Sequence, residues 1–330
     1  MSGTSMDFTS FTKIILENLQ KMLGEGYMVF AQSVRKNNGV RRTGIVARRI
    51  GQNTSPTIYI DGLYTQGITR EEADRISEGL YNDFRAAEFG EEPDLSGFCS
   101  YETAWKGLAF KMISAEKNKE LLGTIPHKLF HNLAVVFYYT LREAPFYGKA
   151  SVLVNSQHMQ YWGVSTGELY KRAFSNTPRL FPGVIEDAEK IMQEIFMGTI
   201  KGDGPDRAGY EKEEAPGEKW MGEMACRMAR DCQRGKIPMY VLTNRQRHYG
   251  AACLLYPGLL EKFADRAGQD FYVLPSSVHE MILVPAGVDV GKDSLREIVA
   301  DINRKHVAEE EVLADSVYYY SRGKKKVILL

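Results

Sequence analysis

Residues 271–285 read FYVLPSSVHEMILVP, two apolar runs joined by a short polar segment. β-rich runs separated by proline and serine are typical of two strands and a turn. Side chains alternate along a strand, so Ile282 and Val284 lie on one side of the second run and Met281 and Leu283 on the other. Both faces of the run are therefore largely apolar, and Pro275 to Glu280 forms the predicted turn.

A similar unit precedes this one. Residues 239–268 read MYVLTNRQRHYGAACLLYPGLLEKFADRAG, and Tyr240 and Tyr272 are offset by 32 residues (272 − 240). Each unit predicts a strand, a polar turn, a second strand and a helix, so we expect a duplicated ββα hairpin. Two such units are expected to form one four-stranded antiparallel sheet with both helices on one face. The final SVYYYSRGKKKVILL predicts another hairpin.

The rest of the chain alternates helical and β-rich segments. Apolar residues at helical spacing predict an amphipathic helix from Phe8 to Leu23. KNNG between two β-rich runs predicts a hairpin, because Asn and Gly tolerate positive φ. Further strands are predicted for SPTIYID, LAVVFYYTLR and KASVLV. Further helices are predicted for residues 70–87, 100–122, 166–174 and 184–197 and for the residues that follow KASVLV. NTPRLFP is predicted to be a turn. The predicted class is α+β, with mixed or antiparallel sheets.

Composition suggests where the chain divides. At 330 residues, two lobes are expected. Residues 198–223 are rich in Gly, Pro and charge without an apolar period, which predicts a flexible linker. We expect an N-terminal α+β lobe over 6–197 and a C-terminal α+β lobe over 224–330. Residues 1–5 are interpreted as an addition before a natural start at Met6.

Charge and cysteine usage limit the environment. Lysine plus arginine and aspartate plus glutamate each total 42, so no long-range field favours nucleic acid or an anionic membrane. The longest uncharged apolar stretch, NLAVVFYYTL, is too short to span a bilayer, and the N-terminal residues lack a secretion signal. The four cysteines show no CxxC pairing, which is typical of free thiols in a reducing compartment. We expect a cytoplasmic protein.

Four motifs in order carry a family resemblance. They are AEKNKELL, NTPRLFP, YVLTN followed by YGAACLLYP, and FYVLPSSVHEMILVP. On these motifs the chain resembles an uncharacterised family of gut Clostridia, domain of unknown function 5688, from Met6 almost to its end. The resemblance implies membership of that family and no particular activity.

The pair His279 and Glu280 invites two catalytic interpretations. A zincin motif, HExxH, requires a second histidine at position 283, which is Leu283. A serine hydrolase requires a hydroxyl within hydrogen-bond reach of the imidazole, but on a strand Ser277 and His279 stand roughly 6.5 Å apart. His279 and Glu280 also point to opposite faces of a strand, so they form no direct dyad.

The two polar turns suggest a binding site instead. If the units repeat, TNRQRHYG and PSSVHE lie side by side and form one polar rim. The candidate ligand-binding residues are Thr243, Asn244, Arg245, Arg247, Ser276, Ser277, His279 and Glu280. Such a rim suits an anionic or polar ligand, although solvated turns have the same composition. The first hypothesis is therefore a non-catalytic binding or adaptor protein, with an unknown protein or a small polar ligand as its partner.

Two alternatives stay open. One is a hydrolase whose catalytic groups converge from distant segments, with its site at 243–247 and 276–280. The other is nucleic-acid binding through the basic segments RRTGIVARR and RGKKK, which the zero net charge argues against. His127 and His131 are four residues apart without a third ligand nearby, so no metal is predicted. GDGPDRAG lacks the phosphate-loop pattern, and no cofactor is predicted.

Overall fold

The computed structural model describes residues 6–52, 55–88, 96–141, 151–191, 223–224, 227, 237–287 and 291–330. Contacts divide these residues into two compact units. The first contains the described residues up to 88 and Leu141, and the second contains residues 96–140 together with those from 151 onward. The predicted linker 198–223 lies outside the described residues except for Glu223.

The first unit packs two helices on one face of a small sheet. Its elements are α1 (Phe8–Leu23), β1 (Tyr27–Arg35), β2 (Arg41–Arg49), β3 (Thr57–Tyr59) and α2 (Arg70–Glu88). Asp7 caps α1 by accepting a hydrogen bond from the Ser10 amide at 2.8 Å. The predicted turn between β1 and β2 is confirmed, with Asn38 and Gly39 at φ of 60° and 74°.

The second unit begins with a four-stranded antiparallel sheet. Its elements are α3 (Tyr101–Ala104), β4 (Leu108–Ser114), α4 (Lys119–Leu122), β5 (His127–Phe130), β6 (Leu133–Thr140), β7 (Ser151–Leu153), α5 (Ser156–Trp162) and α6 (Thr166–Leu180). β6 lies in the centre, with β4 along one edge. β5 and β7 share the other edge, because β5 pairs with residues 133–136 of β6 and β7 with residues 138–140.

A six-stranded antiparallel sheet completes the unit. Its elements are β8 (Gly183–Asp187), β9 (Tyr240–Asn244), α7 (Leu259–Ala267), β10 (Phe271–Pro275), β11 (Met281–Pro285), α8 (Lys292–His306), β12 (Tyr318–Ser321) and β13 (Lys326–Leu329). The strand order is β13-β12-β10-β11-β9-β8. Residues on both sides of the predicted linker therefore pair within one sheet.

Alternating side chains place a core on each face of this sheet. Val273 and Leu283 belong to a core shared with the four-stranded sheet, α6 and α7. Leu274 and Ile282 belong to a second core with α8. Each aliphatic side chain removed from water contributes roughly 1.5–3 kcal/mol, so two covered faces favour the extended conformation of both runs.

The α+β class with antiparallel sheets is confirmed, but the predicted duplication is not. The second of the two predicted ββα repeats, residues 271–306, contains β10, β11 and α8, as expected. In the first repeat, Gly250–Leu255 forms a buried 3₁₀ helix where a second strand was predicted. Tyr249, at φ 52°, turns the chain out of the extended conformation before that segment. The helices also lie on opposite faces of the sheet rather than on one.

Three other local predictions were wrong because tertiary pairing overrides local pattern. Residues 108–114 form β4 inside the predicted helix 100–122. NTPRLFP is not a turn, since α6 continues to Leu180 with Pro178 inside it, and Thr177 Oγ1 accepts a hydrogen bond from the Phe110 amide at 3.0 Å. The start of the predicted helix 184–197 is strand β8, paired with β9.

Candidate functional site

The two polar turns meet at one end of β9 and β10. Thr243 Oγ1 donates a hydrogen bond to the His279 carbonyl at 2.8 Å. The Tyr249 amide donates to Nδ1 of the His279 ring at 3.1 Å. We call residues 243–250 and 276–280, with Lys111 and Glu311 that contact them, the turn cluster.

Five of the eight candidate residues are buried supports. They have between 0% and 8% of their surface exposed: Thr243, Asn244, Ser276, Ser277 and Glu280. A buried polar group is costly unless it is hydrogen-bonded, and the side chain of each of these five makes at least one hydrogen bond. Their side chains hold the turns together and present little surface to a ligand.

Asn244 closes the first turn. Its Nδ2 donates to the His248 carbonyl at 2.8 Å, and its Oδ1 accepts from the His248 amide at 3.2 Å. The Arg247 amide donates to the Asn244 carbonyl at 2.9 Å. These bonds accommodate Arg247 and Tyr249 at φ of 47° and 52°, which non-glycine residues adopt rarely.

The second turn is closed in a similar way. Ser277 Oγ accepts a hydrogen bond from the His279 amide at 3.0 Å, and Ser276 Oγ donates to Glu280 Oε1 at 3.3 Å. The Val278 amide donates to the Glu311 carbonyl at 2.9 Å, which ties the turn to the segment after α8. This geometry differs from a regular strand, and the two side chains have different partners: Glu280 bonds to Ser276, and the His279 ring lies beside Glu311.

His279 is the partly exposed centre of the cluster. Because Nδ1 accepts from the Tyr249 amide, the proton of the neutral ring is on Nε2. Nε2 lies 3.5 Å from Glu311 Oε1, and the two side chains are 27% and 32% exposed. The ring thus has a backbone donor on one nitrogen and a carboxylate beside the other.

Tyr249 connects this histidine to Lys111. The Tyr249 and His279 rings are nearly parallel, with an interplanar angle of 8° and centroids 5.5 Å apart. Lys111 Nζ lies 4.0 Å from the centroid of the Tyr249 ring, a cation–π contact. The His248 ring is also close, at 3.9 Å from Tyr249. Lys111, Tyr249, His279 and Glu311 therefore form one continuous row.

The two candidate arginines have different surroundings. Arg247 is paired with Glu186 on β8, with Nη2 and Oε2 3.1 Å apart. Arg245 is exposed, and within the described part of the chain its guanidinium has no ion pair. Of the eight candidate residues, only Arg245, Arg247 and His279 can contact a ligand with much of their side chain.

A buried thiol lies beneath the cluster. Cys253 Sγ donates to the Thr243 carbonyl at 3.1 Å, and the residue is fully buried. Burial raises the pKa of the Cys253 thiol to about 12. Burial also raises the pKa of the neighbouring Tyr256 hydroxyl above its usual range. Neither group is ionised near neutral pH, so neither supplies a nucleophile or a charge to the cluster.

Sequence analysis missed Lys111, Tyr249 and Glu311. Tyr249 stands within the polar segment already singled out, but its side chain was not expected to face His279. Lys111 carries the only charge in the strand sequence LAFKMIS, and a lone lysine in a buried strand is a signal that could have identified it. Glu311 has no such signal, because it follows two other glutamates.

The basic hairpin RGKKK is partly neutralised. Arg322 Nε lies 2.9 Å from Asp265 Oδ1, and Lys325 is paired with Glu261, both acids being on α7. Two of the four basic side chains in this turn are therefore paired within the protein. This weakens the nucleic-acid alternative at that hairpin, since paired charges release fewer counterions.

Among the described residues no three His, Cys, Asp or Glu side chains stand close enough together to hold a metal ion. No helix in the described ranges is long and apolar enough to cross a membrane.

Comparison with known proteins identifies a family. The model of a family of unknown function, DUF5688, matches residues 8–322. No curated protein and no solved structure matches the chain.

Proposed function

The chain belongs to the family of unknown function DUF5688, and we propose that it is a non-catalytic binding protein whose ligand contacts the exposed side of the turn cluster. The observation that carries this proposal is the state of His279. A general base needs a free lone pair, and the lone pair of Nδ1 already accepts a hydrogen bond from the Tyr249 amide. Nε2 carries the proton of the neutral ring and faces Glu311 rather than a serine.

The arrangement of buried and exposed groups supports binding. Binding sites need contact residues that are held in place by a satisfied polar support. In the turn cluster Thr243, Asn244 and Ser277 form such a support. The first turn contains two positive-φ residues, Arg247 and Tyr249, which cost free energy to form, and it places the Tyr249 ring against the partly exposed His279.

The charges favour a small polar ligand with a negative group. Glu186 is paired with Arg247, and Glu311 lies beside His279. Arg247 is balanced by Glu186, and the carboxylates of Glu280 and Glu311 balance Lys111 and Arg245, so the cluster has no net charge while the His279 ring is neutral. Lys111 and Arg245 have no ion pair among the described residues, and these two cations are the groups that would attract a negative ligand. The aromatic face of Tyr249 is already occupied by Lys111 and His279, which makes ionic and hydrogen-bond contacts the main attraction. The scattered cysteines favour the cytoplasm as its location.

Ligand-observed NMR with inorganic phosphate, citrate, glutamate and AMP tests this proposal. At least one of these probes is expected to bind, and Lys111→Ala is expected to weaken that binding at least tenfold. Lys128→Ala is the matched control, because Lys128 Nζ lies 4.1 Å from the ring centroid of Tyr170 outside the cluster. Equal binding by wild type and Lys111→Ala, or no binding by any probe, counts against the proposal.

Enzymatic assays test the non-catalytic part separately. Purified protein is incubated with generic ester, peptide, phosphodiester and nucleotide substrates. We expect no turnover above background. Turnover that disappears in His279→Asn, with the protein still folded, would replace this proposal with the hydrolase alternative.

A further inference from the structure

β5 is the outermost strand of the four-stranded sheet along part of its length. Its residues 127–130 pair with residues 133–136 of β6 on one side. No described strand pairs with its other side, because β7 lies opposite residues 138–140 of β6. The backbone N–H and C=O groups on that outer side are available to a further strand.

An apolar groove borders this strand on the outer face of the sheet. The groove has a volume of about 560 Å³ and is lined by Ala115, Leu122, His127 and Leu129, with Glu116 and Lys119 at its rim. Leu129 is 67% exposed, one of the few large apolar side chains that the described residues leave in water. Leu122 belongs to the small apolar cluster on this face.

A second concavity lies at the start of the same strand. It has a volume of about 630 Å³, and its lining includes Pro126, His127, Met159, Gln160 and Val164. Met159 and Val164 pack against the core between the two sheets, whereas Leu122 belongs to the outer cluster. His127, the first residue of β5, borders both concavities, so the second one adjoins the start of the strand.

We propose that the outer edge of β5 binds an extended peptide segment of a partner protein by adding it as a further strand. Side chains of a strand point alternately to its two faces, about 6.5 Å apart on each face. An added strand would therefore place one set of side chains over the apolar groove at Leu129 and the alternate set on the face that carries Lys128 and Phe130. Strand addition uses the backbone for affinity and such pockets for specificity.

The charges around the edge further define this partner. Lys119 and Glu116 line the groove, and Lys128 lies on the opposite face of β5 from Leu129, with its Nζ 4.1 Å from the ring centroid of Tyr170. Both lysines are exposed. A complementary segment has an apolar residue at every second position and acidic rather than basic residues outside them. Four paired residues make a small interface, which is typical of weak, transient binding. This inference uses none of the residues of the turn cluster and is independent of the function proposed above.

Selection from a phage-displayed library of random 12-residue peptides tests the proposal, with the full chain as bait. Enriched peptides are synthesised and titrated by calorimetry into wild type, Leu129→Asp and Tyr161→Asp. Leu129→Asp is expected to weaken binding at least tenfold. Tyr161, 76% exposed and outside both concavities, provides a matched control that is expected to bind as wild type does. Circular dichroism verifies that both variants are folded.

N-methylation of the peptide distinguishes strand addition from side-chain docking. Alternate amides of an added strand face the protein. Methylating the amides that face β5 is therefore expected to abolish binding, and methylating the other set is expected to leave the dissociation constant within threefold of that of the unmodified peptide. The proposal is overturned if no peptide is enriched, if Leu129→Asp binds equally well, or if both methylated sets bind alike. Lys111→Ala is expected to bind the peptide normally, so failure here is separate from failure of the small-ligand site.

Discussion

The Tyr249 amide donates a hydrogen bond to Nδ1 of His279 at 3.1 Å, across 30 residues of sequence. This bond fixes the tautomer of the imidazole and connects the end of the first turn to the second. It also places the two rings nearly parallel. One contact therefore determines both the shape of the turn cluster and the chemistry available to its histidine.

Substitution of His279 should depend on whether an acceptor is kept. Asn Oδ1 occupies nearly the position of imidazole Nδ1, so His279→Asn can still accept from the Tyr249 amide. His279→Leu leaves that amide without its acceptor, which costs about 1–3 kcal/mol when the group is buried. Because the site is only partly buried, we expect His279→Leu to lower the free energy of unfolding by about 1 kcal/mol, the lower limit of that range, and His279→Asn to lower it by less. Urea unfolding measures both values. Equal losses would show that the hydrogen bond contributes little.

Gly250 should not tolerate a side chain. A Cβ atom at this position would overlap Thr243 Oγ1 and the His279 carbonyl, and would stand 2.8 Å from the Asn244 amide nitrogen. Two of these atoms belong to the backbone, so they move only if the turns separate. Gly250→Ala is expected to cost about 1–3 kcal/mol or more in unfolding free energy. It should also reduce binding at the turn cluster.

A second glycine controls for the general effect of alanine. At Gly287 a Cβ atom would have no neighbour within 4 Å. Gly287→Ala is expected to leave stability within about 0.5 kcal/mol of wild type, as exposed substitutions usually do. If both variants unfold at the same urea concentration, the close approach of the two turns at Gly250 is not as described.

Thiol labelling tests the burial beneath the turn cluster. Cys253 is buried and its thiol has a pKa of about 12, whereas Cys99 is exposed. Since the thiolate is the reactive form, iodoacetamide at pH 8 is expected to modify Cys99 quickly and Cys253 only after unfolding. Peptide mass spectrometry identifies each site. Rapid modification of Cys253 in the folded protein would mean that the turns open readily.

The strands around the turn cluster could be predicted from sequence because their pattern is local and repeated. Residues 271–285 alternate between two apolar faces, and the structure covers both faces. The amphipathic helix at Phe8–Leu23 and the turn at Asn38 and Gly39 follow from equally local rules. In these segments, propensity, periodicity and burial all favour the same conformation.

Elements that depend on distant partners could not be predicted. Residues 250–255 read as a strand, but Tyr249 at positive φ and the packing of Gly250 against His279 direct them into a 3₁₀ helix. β8 is a strand because β9, more than 50 residues later, pairs with it (240 − 187 = 53). In the turn cluster, the polar residues were identified correctly as neighbours across the two turns. The burial of most of these side chains was not predicted, because a serine that is buried and hydrogen-bonded within a turn has the same sequence pattern as one exposed to solvent.

A cluster of charges at the end of α8 should make stability depend on pH. Asp301 accepts from Lys305 Nζ at 2.9 Å and is also paired with Arg227. Hydrogen bonds first from Lys305 and then from Arg227 lower the pKa of the Asp301 carboxyl to about 2. Because this pKa is below that of the unfolded chain, the pair stabilises the fold fully above about pH 4 and less as the pH falls toward 2.

Asp301→Asn removes this contribution. The variant is expected to melt below wild type at pH 6, and the difference between their melting temperatures should narrow as the pH falls from 4 to 2, because wild-type Asp301 then becomes protonated as well. Glu297→Gln is the control, since Glu297 is an exposed carboxylate on the same helix without an ion pair among the described residues. It is expected to melt close to wild type at pH 6. A melting difference for Asp301→Asn that stays constant down to pH 2 would mean that the carboxylate charge does not stabilise the end of α8.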